Sequence, residues 1–81
     1  MQFDYNLFID ALEREGLTRQ QTAMRIYEEV RQAENQKAGF LDQASENPDF
    51  YRMISVEIDK YITQLKLLHN SLSRTPQELD Q

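Results

Sequence analysis

A scarcity of chain breakers constrains this sequence more than any other feature. Its 81 residues contain two Gly and two Pro, whereas folds built of many short strands need a turn signal about every 8 to 12 residues. Sandwiches and barrels are therefore excluded, and long helices are required. The length holds one hydrophobic core, because a piece below about 40 residues does not build a second. The expected fold is all-α: a small three-helix bundle, with a short N-terminal helix ahead of a long antiparallel helical hairpin.

The residues that favour helix ends fall where such helices would start and stop. Asp4 is a good N-cap, and Tyr5, Phe8, Ile9 and Leu12 follow it at the spacing of one helical face. Gly16 suits the left-handed position past a helix end, and Leu17 can pack back onto the last turn. Thr18-Arg19-Gln20-Gln21 then matches a capping box and opens a second helix. Ala23, Ile26, Val30, Ala33, Phe40, Leu41 and Ala44 fall on one side of it, with Lys37 interrupting the stripe. The pattern predicts a helix to about Gln43, and Gly39, which costs about 1 kcal/mol against Ala, leaves open a break or bend near Ala38 to Phe40. Ser45-Glu46-Asn47-Pro48 combines an N-cap with a Pro suited to a first turn, so a third helix begins there and meets no breaker until Pro76. The expected organisation is one helical domain over residues 1–74 and a polar, disordered tail over 75–81.

Along the third helix Tyr51, Ile54, Ile58, Tyr61, Leu65, Leu68 and Leu72 repeat at spacings of 3 and 4, a coiled-coil-like seam. At about 100° per residue, Met53, Val56 and Leu67 project from nearly the opposite side, beside a polar strip of Arg52, Asp59, Lys66 and Asn70. One face suffices for a monomer. The second offers an apolar strip to something else, and Met is the adaptable residue expected at such a surface; the reverse assignment, with the seam as the interface and the second face packed inside, stays open. Met53, Val56, Leu67 and Lys60 are the candidate partner-binding residues, and a homodimer is the expected state.

Chemistry is sparse by comparison. With no Cys there is no disulfide, thiolate nucleophile, zinc finger or iron–sulfur site. His69, the only histidine, lacks the companions that a general base or metal ligand needs and reads as a solvated or partly packed helix residue. Asp42, Glu46 and Asp49 around the second turn, and the pair Glu28 and Glu29, lack the alternating ligands and central Gly of a calcium loop. They read as solvated acids, Asp49 favoured by the dipole of the helix it opens. No metal, cofactor or small-molecule substrate is expected. No run of eighteen apolar residues crosses a membrane, MQFDYNLFID does not look like a signal peptide, and the lack of Cys fits a cytoplasmic location.

A net charge of −5 argues against broad binding to a phosphate backbone. Arg14, Arg19, Arg25 and Arg31 lie among Glu13, Glu15, Glu28 and Glu29 and form no basic stripe. The stretch Leu12 to Ile26 nevertheless fits a helix-turn-helix with Arg19, Gln20, Gln21 and Arg25 at the front of a recognition helix. A small DNA-associated regulator, or an acidic mimic of DNA, is accordingly a third reading.

The stretch Ser55-Val56-Glu57-Ile58-Asp59-Lys60-Tyr61-Ile62, preceded by an acidic helix containing Ile26 and Arg31, is similar to the signature of the small sporulation-type aspartyl-phosphate phosphatases. Those proteins are short antiparallel helical hairpins that dephosphorylate a response regulator. Over residues 26–62 the resemblance implies a catalytic role for Asp59, with Ser55 and Glu57 flanking it. This is the second reading. The leading expectation is a non-enzymatic protein–protein interaction module: a small soluble regulator, adaptor or inhibitor that presents an amphipathic helical face to a protein partner.

Overall fold

The computed structural model describes residues 3–73. They form three helices in the order α1 (Tyr5–Glu15), α2 (Arg19–Leu41) and α3 (Pro48–Ser73), and the described residues contain no strand. The fold is all-α, with α2 and α3 packed as a hairpin. The expected tail, 75–81, lies outside the described residues. No described helix is long and apolar enough to cross a membrane.

Local chemistry explains the boundaries. The Asp4 carboxylate accepts from the Leu7 amide at 3.1 Å, and Gly16 closes α1 at φ 64°, ψ 36° with its N–H directed to the Glu13 carbonyl. At that φ a β-carbon would be strained, so the residue is Gly. Thr18 Oγ1 accepts from the Gln21 amide at 3.1 Å while Gln21 Oε1 accepts from the Thr18 amide at 3.0 Å, which completes the capping box. Asn47 Oδ1 accepts from the Phe50 amide at 3.2 Å and starts α3 immediately before Pro48.

The question left open at Gly39 is answered by a single continuous helix. α2 runs through that residue to Leu41, ending slightly before the expected Gln43, and residues 42–46 then form a run of turns. About 1 kcal/mol of lost propensity is small beside the continuous backbone ladder and the packing on either side of the glycine. A β-carbon at Gly39 would meet nothing within 4 Å.

The core lies mainly between α2 and α3. Ile26, Ile58 and Leu65 have no accessible surface, and Val30, Ala33, Tyr61 and Ile62 are buried around them. The expected seam is correct in direction, with Ile58, Tyr61 and Leu65 at its buried centre and Tyr51, Ile54, Leu68 and Leu72 half-buried along its length. Ile62, off the seam, is buried as well, because α3 turns the stripe Ile58, Ile62, Leu65 toward α2 and gives its other flank to α1. Leu41 departs from expectation: it is 57% exposed, since it lies about 60° round α2 from Ile26, over a groove that no third helix fills.

With 11 residues, α1 is about 16 Å long against about 39 Å for α3. It inserts Leu12 into the core and sets Phe3 edge-on to Tyr61 at 5.7 Å between ring centres. At its other end Ile9 and Leu17 approach Leu68 and Leu72. The half of the hairpin near its turn is left as two helices, closed at the tip by Phe40 edge-on to Phe50 at 5.9 Å.

Two stability outcomes follow. Gly39→Ala raises stability by about 0.5–1 kcal/mol, because it removes chain entropy and fills open space. In a thermal melt followed by circular dichroism, each such kcal/mol appears as about 4–8 °C. Leu65→Ala costs about 2–5 kcal/mol through its cavity, read from the denaturation midpoint in urea.

Candidate functional site

The surface left after the core is formed divides by the geometry of α3. Met53, Val56 and Leu67 are 61%, 60% and 66% exposed, and Lys60 is exposed with them. Around the helix they cluster within about 60°, some 160° from the centre of the buried stripe, reckoned at about 100° per residue. All of the expected partner-binding residues therefore occupy one outer face. Met53 and Val56 are a turn apart, and Leu67 lies about 16 Å further along.

A shallow groove runs between α2 and α3 on the side away from α1, lined by residues that include Leu41, Tyr51, Asp59 and Lys66. Lys37, the residue that interrupted the apolar stripe, donates from Nζ to Asp59 Oδ1 at 2.6 Å across it. This hydrogen bond holds the ammonium pKa above its ordinary value. Lys66 approaches Glu34 at 3.8 Å, a looser pair. Toward the base, Tyr27 is 6.2 Å from the His69 ring and receives the Arg31 guanidinium at 6.0 Å. His69 is half-buried beside that ring, in keeping with a partly packed residue. Among the described residues no group of three His, Asp or Glu side chains is arranged to hold a metal ion.

The three residues of the phosphatase resemblance are not brought together. Asp59 stands in the groove, engaged by Lys37, and Ser55 is half-buried a turn earlier on the same flank. Glu57 lies across the helix, in a depression with Phe3, Asp4 and Tyr5. The cations of the helix-turn-helix reading are also in use. Arg19 donates from Nε to the Leu72 carbonyl at 2.8 Å and from Nη2 to the Ser71 carbonyl at 2.9 Å, while Arg25 pairs with Glu15 at 2.9 Å.

On the α1 side, Tyr61 donates its phenolic hydrogen to Glu29 Oε2 at 2.6 Å. Burial, then the Glu29 hydrogen bond and charge, push the phenol pKa well above its ordinary value. The Arg19 and Tyr61 contacts join residues more than thirty positions apart, and nothing local signals them. Lys37 inside an apolar stripe was the one visible hint of a cross-helix pair.

No protein-family model, curated protein or solved structure matches the chain.

The Tyr61 contact sets an alkaline limit. A phenol pKa raised in the folded state favours folding fully below the unfolded value of about 10 and progressively less as pH rises above it. Urea midpoints measured against pH should fall above about pH 10, and Tyr61→Phe should flatten that fall. At neutral pH the same substitution should cost about 0.5–1.5 kcal/mol.

Proposed function

We propose that the chain is a non-enzymatic protein–protein interaction module, a small cytoplasmic regulator, adaptor or inhibitor that offers the outer face of α3 to a protein partner. One observation carries this reading: Met53, Val56 and Leu67 are each at least 60% exposed on a helix face that the core does not use. Single exposed apolar residues are ordinary, but three large ones along one stripe form an anchor row. Met53 can adapt to an irregular surface, and Lys60, Asp59 and Lys66 beside the row can orient a partner.

The test is affinity capture from the native cell with Met53→Asp and Leu67→Asp as controls. Both substitutions fall on exposed positions and should change stability by no more than about 0.5 kcal/mol, while partner recovery should drop about tenfold or more. Undiminished recovery by both folded variants would rule the reading out.

The phosphatase reading keeps one specific support: more than half of the Asp59 side chain, at 56%, stays accessible while Lys37 holds one of its oxygens. Loss of phosphoryl label from a response regulator, abolished by Asp59→Asn with the helical spectrum unchanged, would replace the interaction reading with that one.

A further inference from the structure

The outer face of α3 is more than three apolar residues. Met53, Val56, Lys60, Thr63, Leu67 and Asn70 follow one another at spacings of 3, 4, 3, 4 and 3, and every one of them is exposed. This is a second heptad seam, about 26 Å long, on the side of the helix opposite the first. Its flanks differ: Asp59 and Lys66 border it on one side, Glu57 and Gln64 on the other.

We propose that this seam binds a second copy of the chain, α3 against α3 in antiparallel register. The inference rests on the reading of the outer face as an interface and names its occupant. Charge complementarity selects that occupant. When two copies are antiparallel with Val56 level with Leu67 of the other, Lys60 falls level with Thr63 and Met53 with Asn70, so each layer repeats by the two-fold axis. The same register places Asp59 of one copy within about 3 Å, along the axis, of the level of Lys66 in the other. The two-fold axis makes that opposite-charge pairing twice, while Glu57 meets the uncharged Gln64.

A parallel pair of the same helices would stack Lys60 on Lys60, a like-charge contact at the seam centre. The antiparallel arrangement sets each Lys60 against Thr63 instead, and its long stem can carry the ammonium out to water. Asp59 and Lys66 remain reachable although each has a neighbour on its own chain, with side chains 56% and 57% exposed. Two central polar layers in a seam with three apolar positions of six cost affinity and fix register, so the expected dimer is reversible and concentration-dependent.

Two measurements on the full chain test this. In sedimentation equilibrium the chain should move from one to two copies as its concentration rises. Asp59→Lys alone and Lys66→Glu alone should each weaken self-association by at least about tenfold, and mixing the two variants should restore a dimer, because every cross-pair is then opposite in sign. The second measurement uses the natural absence of Cys. Under a thiol–disulfide buffer a mixture of Val56→Cys and Leu67→Cys chains should cross-link to each other. Neither should cross-link to itself, since like positions are about 16 Å apart along the axis.

A chain that stays monomeric at all concentrations and forms no mixed disulfide overturns the proposal, as does self-cross-linking by Val56→Cys, which reports a parallel pair. The broader interface reading fails separately, only if Met53→Asp and Leu67→Asp also leave capture of other proteins unchanged.

Discussion

Everything in this molecule depends on the antiparallel contact between α2 and α3, and within it on Ile26, Ile58 and Leu65, which exclude water completely. Isolated helices of this length are marginal in water, and tertiary burial of an apolar stripe is what sustains them. That burial is uneven along the hairpin. At the base, α1 adds Leu12 and a set of half-buried aromatic and aliphatic side chains, making a three-helix section. Toward the turn, two helices share Ala33, Phe40, Phe50 and Ile54 between them. Opening free energies follow such contact gradients, so the tip is the weaker half and the base the anchor.

The base is reinforced by a contact that serves two helix ends together. The last carbonyls of any helix lack intrahelical donors, and Arg19 supplies two N–H groups to those of Leu72 and Ser71. Its own backbone stands in the first turn of α2, where the helix presents the positive end of its dipole. The positive end of one helix thus lies against the negative end of its neighbour, with a guanidinium between them. The cations Arg19, Arg25 and Lys37 are all engaged within the chain, which explains why the overall charge says little about what the surface recognises.

The sequence foretold what neighbouring residues decide among themselves. Asp4, Gly16, the Thr18 and Gln21 box, and Asn47 with Pro48 act over three or four positions, and each appears as a cap in the structure. The periodicity of Ile58, Tyr61 and Leu65 likewise grouped one apolar face of α3, but packing against α2 decided that this face, and not that of Met53, Val56 and Leu67, is the buried one. Gly39 left the continuity of α2 open, because a propensity cost of about 1 kcal/mol is weighed against packing that the sequence does not display. Leu41 left the expected apolar stripe for the surface, and Ile62, off the expected seam, entered the core, because the rotation of each helix against its neighbour is a tertiary quantity. At the candidate site, the outer-face residues were legible from angle alone. The partners of Lys37, Tyr61 and Arg19 were not, since they depend on the register between α2 and α3, which no local signal encodes.

An aliphatic interface between two helices tolerates sliding and rolling, because Ile, Leu and Val offer one another similar shapes and no directional bond. Tyr61 with Glu29 and Asp59 with Lys37 lie on opposite flanks of α3. Rolling α3 either way about its own axis would draw one of these pairs apart. Together they act as opposed stays, and a nearly featureless hydrocarbon contact acquires a single torsional setting that fixes which side of α3 the rest of the world meets.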